Sequence, residues 1–229
     1  MAKNIGILGT GVVGRTIGAR LAELGYEVMI GTRDVAKTQA KTEKGPYGGP
    51  TFAEWHKQHQ NIKLGSFAET AKFGEILFNC TNGVASLEVF QAAKPENVKG
   101  KTVVDISNPL DFSKGMPPTL LPQFANTNSL AEEIQKTYPG ANIVKSLNIV
   151  NCEVMVNAKK TNGDPTMFVA GNNAAAKDET KAILKQFGWN DIIDLGDITG
   201  ARGMEMVLPI WLRVWGATQS GYFGFKIVR

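Results

Sequence analysis

The first 34 residues carry the feature that most constrains the fold, an apolar strand followed by a glycine turn and an amphipathic helix. Residues 5–8 (Ile-Gly-Ile-Leu) form a short apolar run typical of a strand buried on both faces. The turn follows at residues 9–14 (Gly-Thr-Gly-Val-Val-Gly). Apolar residues then recur at helical spacing up to Leu24, Gly25 ends that helix, and residues 26–30 form a second strand. This order predicts a βαβ unit.

The rest of the chain repeats the alternation of strands and helices. It therefore predicts an α/β fold, a Rossmann-type doubly wound parallel sheet with a small C-terminal α/β lobe. We place the Rossmann domain at residues 1–146 and the lobe at 147–229. Residues 43–61 are interrupted by Gly and Pro, with a helical turn around Trp55, and residues 109–122 read as a Pro-rich loop. Further helices are predicted at 34–42, 66–73 (which Ser66 could cap), 85–93, 129–137, 150–157, 174–187 and 202–217.

Composition excludes several classes of protein. The 25 Lys and Arg residues exceed the 21 Asp and Glu residues by only four in 229, without a dense basic block, which argues against a nucleic-acid partner. Two cysteines, Cys80 and Cys152, cannot form a disulfide framework or a four-thiolate zinc site. The N-terminus is a poor signal peptide, and the apolar stretch 204–217 is shorter than the ~20 residues that a bilayer requires. We expect a cytoplasmic protein without a membrane partner.

The glycine turn predicts a dinucleotide site. In such a turn the first glycine permits the tight bend, the second lets the backbone approach a pyrophosphate, and the third lets helix and strand pack closely. The helix N-terminus stabilises the anion. Gly9, Gly11 and Gly14 have this spacing, and their position between a strand and a helix is the context that the motif requires.

The end of the second strand favours NADP(H) over NAD(H). An NAD site usually has an acidic residue there, but this chain has Gly31, followed by Thr32 and Arg33. A hydroxyl and a guanidinium suit a 2′-phosphate, and Lys37, one helical turn after Arg33, could add a second cation. Asp34 is the counter-argument, because it could pair with Arg33 or accept from a ribose hydroxyl.

Four segments resemble the NADP-dependent oxidoreductases that reduce the deazaflavin coenzyme. They are residues 9–14, 31–33, 145–148 (Lys-Ser-Leu-Asn) and 221–226 (Gly-Tyr-Phe-Gly-Phe-Lys). The resemblance extends over nearly the whole chain. The cytosolic domain of the six-transmembrane ferric reductases is similar in its Rossmann part, and hydroxyacid and pyrroline-carboxylate reductases share the glycine turn.

The resemblance implies hydride transfer between the nicotinamide and a second planar ring, for which the protein supplies distance, orientation and a dry pocket. It implies no catalytic acid, base or metal ligand. The residues implied to bind the cofactor are Gly9, Thr10, Gly11, Val12, Val13, Gly14, Thr32, Arg33, Lys37, Asn82, Ser86, Asn108 and Cys152. Asn148 and Phe223 are implied to face the acceptor.

The acceptor itself stays open between a deazaflavin, a flavin, a quinone and another small molecule. Archaeal members that use the deazaflavin have His where this chain has Asn148, and Pro where it has Asn151. Two other functions are a carbonyl or imine reductase, which needs a proton donor facing the nicotinamide, and a non-catalytic NADP(H)-sensing module.

Both cysteines, Asp105 and the C-terminal helix have structural interpretations. Both cysteines are expected to be buried small residues, and Asp105 a strand-end carboxylate close to the cofactor loops. The aromatic C-terminal helix, with Trp211 and Trp215, is a reasonable homodimer surface.

Overall fold

The computed structural model describes residues 3–44 and 49–229. In these ranges the strands are β1 (Asn4–Leu8), β2 (Glu27–Thr32), β3 (Lys63–Ser66), β4 (Ile76–Asn79), β5 (Thr102–Asp105), β6 (Leu110–Asp111), β7 (Thr119–Leu120), β8 (Asn142–Ser146), β9 (Thr166–Gly171) and β10 (Asp191–Asp194). The helices are α1 (Val12–Glu23), α2 (Val35–Ala40), α3 (Phe52–Lys57), α4 (Phe67–Phe73), α5 (Ser86–Ala93), α6 (Pro95–Val98), α7 (Leu130–Thr137), α8 (Cys152–Met155), α9 (Ala174–Gln186), α10 (Ala201–Met206) and α11 (Leu208–Thr218).

Eight strands form one sheet in the order β10-β9-β8-β5-β4-β1-β2-β3, and β6 and β7 form a separate hairpin. All neighbours in the large sheet are parallel except β8 and β9. The prediction of a Rossmann-type α/β fold is confirmed, with one antiparallel pairing that the sequence did not indicate. The strands of the C-terminal lobe extend the large sheet, and the boundary at residue 146 stays a prediction.

The sheet is covered on both faces, as a mostly parallel sheet requires. One core cluster packs α1, α8 and α9 against the sheet, with Ile17, Val154 and Ile183 as buried members. The other packs α4, α5 and α7 on the opposite face, with Ala71 and Phe90 among its members. The sheet order reverses between β1 and β4, and ligands of open α/β sheets bind at such a switch point.

The sequence-based helix limits are right for the N-terminal half and wrong near the C-terminus. Ser66 caps α4 in a capping box with Glu69, as predicted. The helix predicted over 202–217 is instead two helices, because Pro209 lacks the N–H that a continuous helix would use and stands in the first turn of α11. The loop predicted over 109–122 contains the hairpin β6–β7. In the stretch 43–61, α3 provides the turn around Trp55, and residues 45–48 lie outside the described residues.

The C-terminal tail after α11 returns along the sheet. The Thr166 amide donates to the Phe225 carbonyl oxygen at 2.8 Å, and Lys226 and Arg229 both pair with Asp191 on β10. Among the described residues no helix has the length and apolar character that spanning a bilayer would need.

Candidate functional site

The glycine turn after β1 is held by two steric requirements. Gly9 has a φ of +123°, and a Cβ there would lie 2.8 Å from the Cys80 carbonyl oxygen. A Cβ on Gly14 would lie 2.2 Å from the Gly9 carbonyl oxygen, so only glycine lets α1 begin this close to the strand. These are the first and third roles predicted for the motif.

Gly11 differs from the other two glycines because neither strain nor packing requires it. Its φ of −67° is ordinary for any residue, and a Cβ there would meet no atom of the described chain within 4 Å. The bare Cα leaves the first turn of α1 open to a ligand. As N-cap of α1, Gly11 offers no side-chain cap, and the first turn contains no acidic residue. The free amides and the helix dipole at this end suit a pyrophosphate, so NADP fits the turn.

The end of β2 decides one of the two alternatives for Asp34, its pairing with Arg33. The Asp34 carboxylate accepts a hydrogen bond from the Lys37 amide at 2.9 Å and caps α2, so it is not the partner of Arg33. No acidic side chain fits at Gly31, because a Cβ there would lie 2.9 Å from Thr70 Oγ1 and 3.1 Å from Phe67. An NAD-type carboxylate at that position is therefore sterically excluded.

Two cations next to this strand end are free to move towards a phosphate. The Arg33 side chain is 74% exposed and forms only a loose pair with Glu88 at 3.6 Å. Lys37 is 88% exposed and lies 3.9 Å from Asp34. The Thr32 hydroxyl is buried and is hydrogen-bonded to the Thr38 hydroxyl at 2.7 Å. The two exposed cations and the buried hydroxyl are thus grouped at the end of β2.

The loop after β4 brings one predicted residue to the surface and buries the other. Asn82 is exposed and caps a short 3-10 turn by accepting from the Val84 amide. Ser86 is fully buried, and its hydroxyl is hydrogen-bonded to Asn79 and Thr81. The Ser86 hydroxyl is therefore occupied inside the protein, and its role at the cofactor stays a prediction.

The loops after β5 and β8 are tied together by two asparagines. Asn108 donates to the Asn148 carbonyl oxygen at 3.0 Å, and Asn148 Nδ2 donates to Asn108 Oδ1 and to the Met204 carbonyl oxygen, both at 2.9 Å. Asn148 is 2% exposed, and its Oδ1 is buried without a hydrogen-bond donor in the described part of the chain. Asn148 holds three segments together, and its Oδ1 is left as a buried acceptor in this part of the chain.

Cys152 and Phe223 both belong to the part of the chain that follows strand β8. Cys152 begins α8, and burial raises the pKa of its thiol, which a hydrogen bond with Thr16 on α1 partly offsets. Burial, together with the Asp105 charge, also raises the pKa of the Cys80 thiol. Both thiols are therefore protonated at neutral pH, and neither is an activated nucleophile. Phe223 stacks on Trp211 with ring centroids 5.3 Å apart.

A buried ion network behind the loops escaped the sequence analysis. Lys145 Nζ lies 2.9 Å from both Asp105 and Glu205, and all three side chains are fully buried. Glu205 also accepts from the amides of Leu130 and Ala131 at the start of α7. Asp105, expected near the cofactor loops, thus has its carboxylate occupied inside the protein. The available signal was a Lys directly after the apolar pair Ile143-Val144 of strand β8.

The pKa values of this network follow from its burial and its charges. Burial alone would lower the pKa of Lys145, but the charges of Asp105 and Glu205 outweigh it and raise the pKa. Burial raises the pKa of Glu205, and the Lys145 charge only partly opposes this. Lys145 is therefore a permanent cation that joins β5, β8 and α10.

Comparison with known proteins shows which family this chain resembles. Residues 4–109 match the family model described as NADP oxidoreductase, coenzyme F420-dependent. The chain is 23% identical over 208 residues to the F420-dependent NADP reductase of Methanothermobacter marburgensis, covering 90% of this chain and 89% of that protein. It is 23% identical over 214 residues to the metalloreductase STEAP3 of Rattus norvegicus, covering 92% of this chain but only 38% of that protein.

Solved structures agree with this placement. A crystal structure from Arthrobacter sp. FB24, provisionally assigned as an F420-dependent NADP reductase, is 49% identical, with full coverage of both chains and a TM-score of 0.93. An imine reductase from Streptomyces aurantiacus is 16% identical with a TM-score of 0.62, covering 95% of this chain and 63% of that one, and shares the fold. The sequence-based prediction of an NADP-dependent oxidoreductase family is confirmed: this chain belongs to the coenzyme F420-dependent NADP oxidoreductases.

Proposed function

We propose that this protein transfers hydride between NADPH and a deazaflavin or flavin-like acceptor. The observation that carries the proposal is the open N-terminus of α1 at Gly11, with the exposed cations Arg33 and Lys37 next to the neighbouring strand end. The names of the similar reductases support the deazaflavin. The bound nicotinamide would supply the hydride, and the chain's own residues would bind and orient the two reactants.

The proposed roles follow the chain from the turn to the tail. Residues 9–14 hold the pyrophosphate, and Thr32, Arg33 and Lys37 hold the 2′-phosphate. The nicotinamide half is bordered by Asn82, Ser86, Asn108 and Cys152, with Asn148 and Phe223 towards the acceptor. Residues 1–146 thus bind the nucleotide and residues 147–229 form the acceptor side. The compartment we propose is the reducing cytoplasm, in keeping with two free cysteines.

Turnover is tested by following NADPH absorbance with a panel of acceptors. The proposal expects steady NADPH oxidation with coenzyme F420 or FMN, and none with cyclic imines or simple ketones. Oxidation with imines alone would replace the proposal with imine reduction. Binding of NADPH without turnover on any acceptor would indicate a sensing module.

Replacing Arg33 by alanine tests the choice of nucleotide. We expect NADPH binding to weaken by ~1.5–3 kcal/mol, the contribution of a charge-assisted hydrogen bond to a phosphate, and NADH binding to stay nearly unchanged. Isothermal titration calorimetry with both nucleotides measures the difference. The control is Lys99→Ala, which removes an exposed cation elsewhere. Equal losses for NADPH and NADH would contradict a 2′-phosphate contact.

We also propose that α11 forms a homodimer contact. The helix is rich in apolar residues, yet only Leu208 is buried, whereas Ile210 is 55% and Trp215 38% exposed. A helix with this much exposed apolar surface is typical of a subunit interface.

Introducing a charge on α11 tests the homodimer. We expect Ile210→Glu to produce a monomer in analytical ultracentrifugation, because a buried carboxylate at an apolar interface is costly. The side chain is exposed in the isolated chain, so thermal unfolding should show that the fold is retained. Thr218→Glu, at the exposed end of the helix, should leave the dimer intact. A monomeric wild-type protein would contradict the proposed contact.

A further inference from the structure

A cleft of about 700 Å³ lies along the outer side of α1, separate from the glycine turn. One wall is α1, and the others come from Trp55 on α3 and from the segments around residues 153–160 and 185–188. The volume falls within the ~300–1,000 Å³ typical of small-molecule sites. The basic side chains that line it are Arg15, Arg20, Lys159, Lys160 and Lys185.

The acidic side chains of the cleft do not balance these cations. Among the described residues two carboxylates line it, Glu23 and Glu153, and each is already paired, Glu23 with Arg20 at 3.1 Å and Glu153 with Lys160. Three positive charges therefore remain in excess within one concave surface. A low-dielectric wall next to such an excess concentrates a positive potential.

The two arginines contain unused hydrogen-bond donors. The Nε atoms of Arg15 and Arg20 are both buried and have no acceptor within the described part of the chain. Arg15 Nη1 donates to the carbonyl oxygens of Pro50 and Thr51, at 2.7 and 3.4 Å, which fixes this side chain against α3 without neutralising it. Burial lowers the pKa of Arg15, as expected for a guanidinium without a nearby carboxylate. A buried donor without a partner costs free energy, so both guanidiniums carry an unmet hydrogen-bonding demand in the wall of the cleft.

Lys159 and Lys185 are also available to a ligand. Neither has a carboxylate within 4 Å among residues 3–44 and 49–229. Thr16 also lines the cleft, and it is close enough to Cys152 to offset part of the rise in the pKa of that thiol, so the cleft lies next to the proposed acceptor side.

We propose that this cleft is a second anion site, which takes a small ligand bearing two or more carboxylate or phosphate groups. The arginine forks provide directed donors, the lysines provide mobile charges, and Trp55 provides an apolar wall. The anion has two possible sources, the charged chain of the electron acceptor and a free small anion. The site does not depend on hydride transfer.

The test is a titration followed by amide NMR spectra, with pyrophosphate as the first probe. Saturating NADP+ is present, so that the glycine turn is already occupied and does not compete for pyrophosphate. We expect the amides of α1 between Arg15 and Glu23, and those of Lys159 and Lys185, to shift with saturation at sub-millimolar pyrophosphate. The double variant Lys159→Glu/Lys185→Glu should weaken this binding by at least about tenfold.

The matched control reverses two exposed lysines away from the cleft, Lys72→Glu/Lys114→Glu, with the same change in net charge. This control variant should bind pyrophosphate like the wild type, because Lys72 and Lys114 do not line the cleft. Circular dichroism of both double variants establishes that the fold is retained.

The second arm compares FAD, which bears two phosphate groups, with riboflavin, which bears none. Cleft shifts with FAD but not with riboflavin assign the anion to the chain of an acceptor, whereas shifts with pyrophosphate alone assign it to a free anion. Absence of cleft shifts with both anions overturns the proposal, as does an equal loss of affinity in the cleft and control variants. These experiments measure ligand binding and not NADPH oxidation. A failure of the proposed anion site can therefore be distinguished from a failure of the proposed hydride transfer.

Discussion

Gly11→Asp is expected to weaken NADPH binding by more than about 100-fold while leaving the protein folded. The physical reason is that the new carboxylate would point into the open space at the first turn of α1, where the pyrophosphate is proposed to lie. Two like charges within a few ångströms of the same amides cannot both be stabilised there. Titration calorimetry with NADPH measures the loss.

The structure separates this effect from misfolding. Gly11 has an ordinary φ, and its Cβ position is free of contacts among the described residues, so aspartate fits without backbone strain. Aspartate is also a good N-cap, and we expect the free energy of unfolding in urea to stay equal or rise by a few tenths of a kcal/mol. Gly11→Ser is the neutral control and should cost about tenfold in affinity, since it fills part of the space without a charge. NADPH binding to Gly11→Asp within about threefold of the wild type would contradict the proposed pyrophosphate position.

Lys145→Met is expected to destabilise the fold by about 3–5 kcal/mol. The substitution preserves most of the side-chain volume but leaves Asp105 and Glu205 buried without their shared cation. The same change at Lys181, a surface lysine that pairs with Asp178 and Asp194, should cost no more than about 1 kcal/mol. Urea unfolding of both variants measures the contrast, and equal costs would contradict a structural role for the buried network.

The loss of folding stability caused by Lys145→Met should depend on pH. Burial already raises the pKa of Glu205, and without the opposing charge of Lys145 this pKa should rise further, so the folded variant takes up a proton more readily than the unfolded chain. Protonation removes the buried charge, and the destabilisation should therefore be smaller at pH of about 5 than at about 8. A penalty that is independent of pH would indicate that lost packing, and not uncompensated charge, causes the effect.

The parts of the fold that the sequence predicted are those set by neighbouring residues. The turn between β1 and α1 and the cap at Ser66 each depend on a few consecutive side chains. The break before Pro209 was also local, and an apolar pattern that continued through it obscured the signal. The antiparallel pairing of β8 with β9 depends on the path of a long connection, which periodicity does not encode.

The candidate site likewise combines features that depend on neighbouring residues with features that only the packed structure reveals. Gly11 and Arg33 were recognisable from motif spacing, but the role of Asp34 depended on whether its carboxylate reached the Lys37 amide. The pairing of Lys145 with Glu205 joins residues far apart in the chain, and only the packed structure brings them together. The excess of cations in the cleft arises in the same way, from segments that are separate in sequence.

The most direct test of the central claim compares NADPH and NADH titrations of the isotope-labelled protein by amide NMR. If the nucleotide lies across the glycine turn with its 2′-phosphate at the end of β2, both nucleotides will shift the amides of Gly11, Val12 and Val13. Only NADPH will produce large shifts from Thr32 to Lys37. Shifts at Thr32 to Lys37 that are the same for both nucleotides, or a glycine turn that responds to neither, would contradict the account.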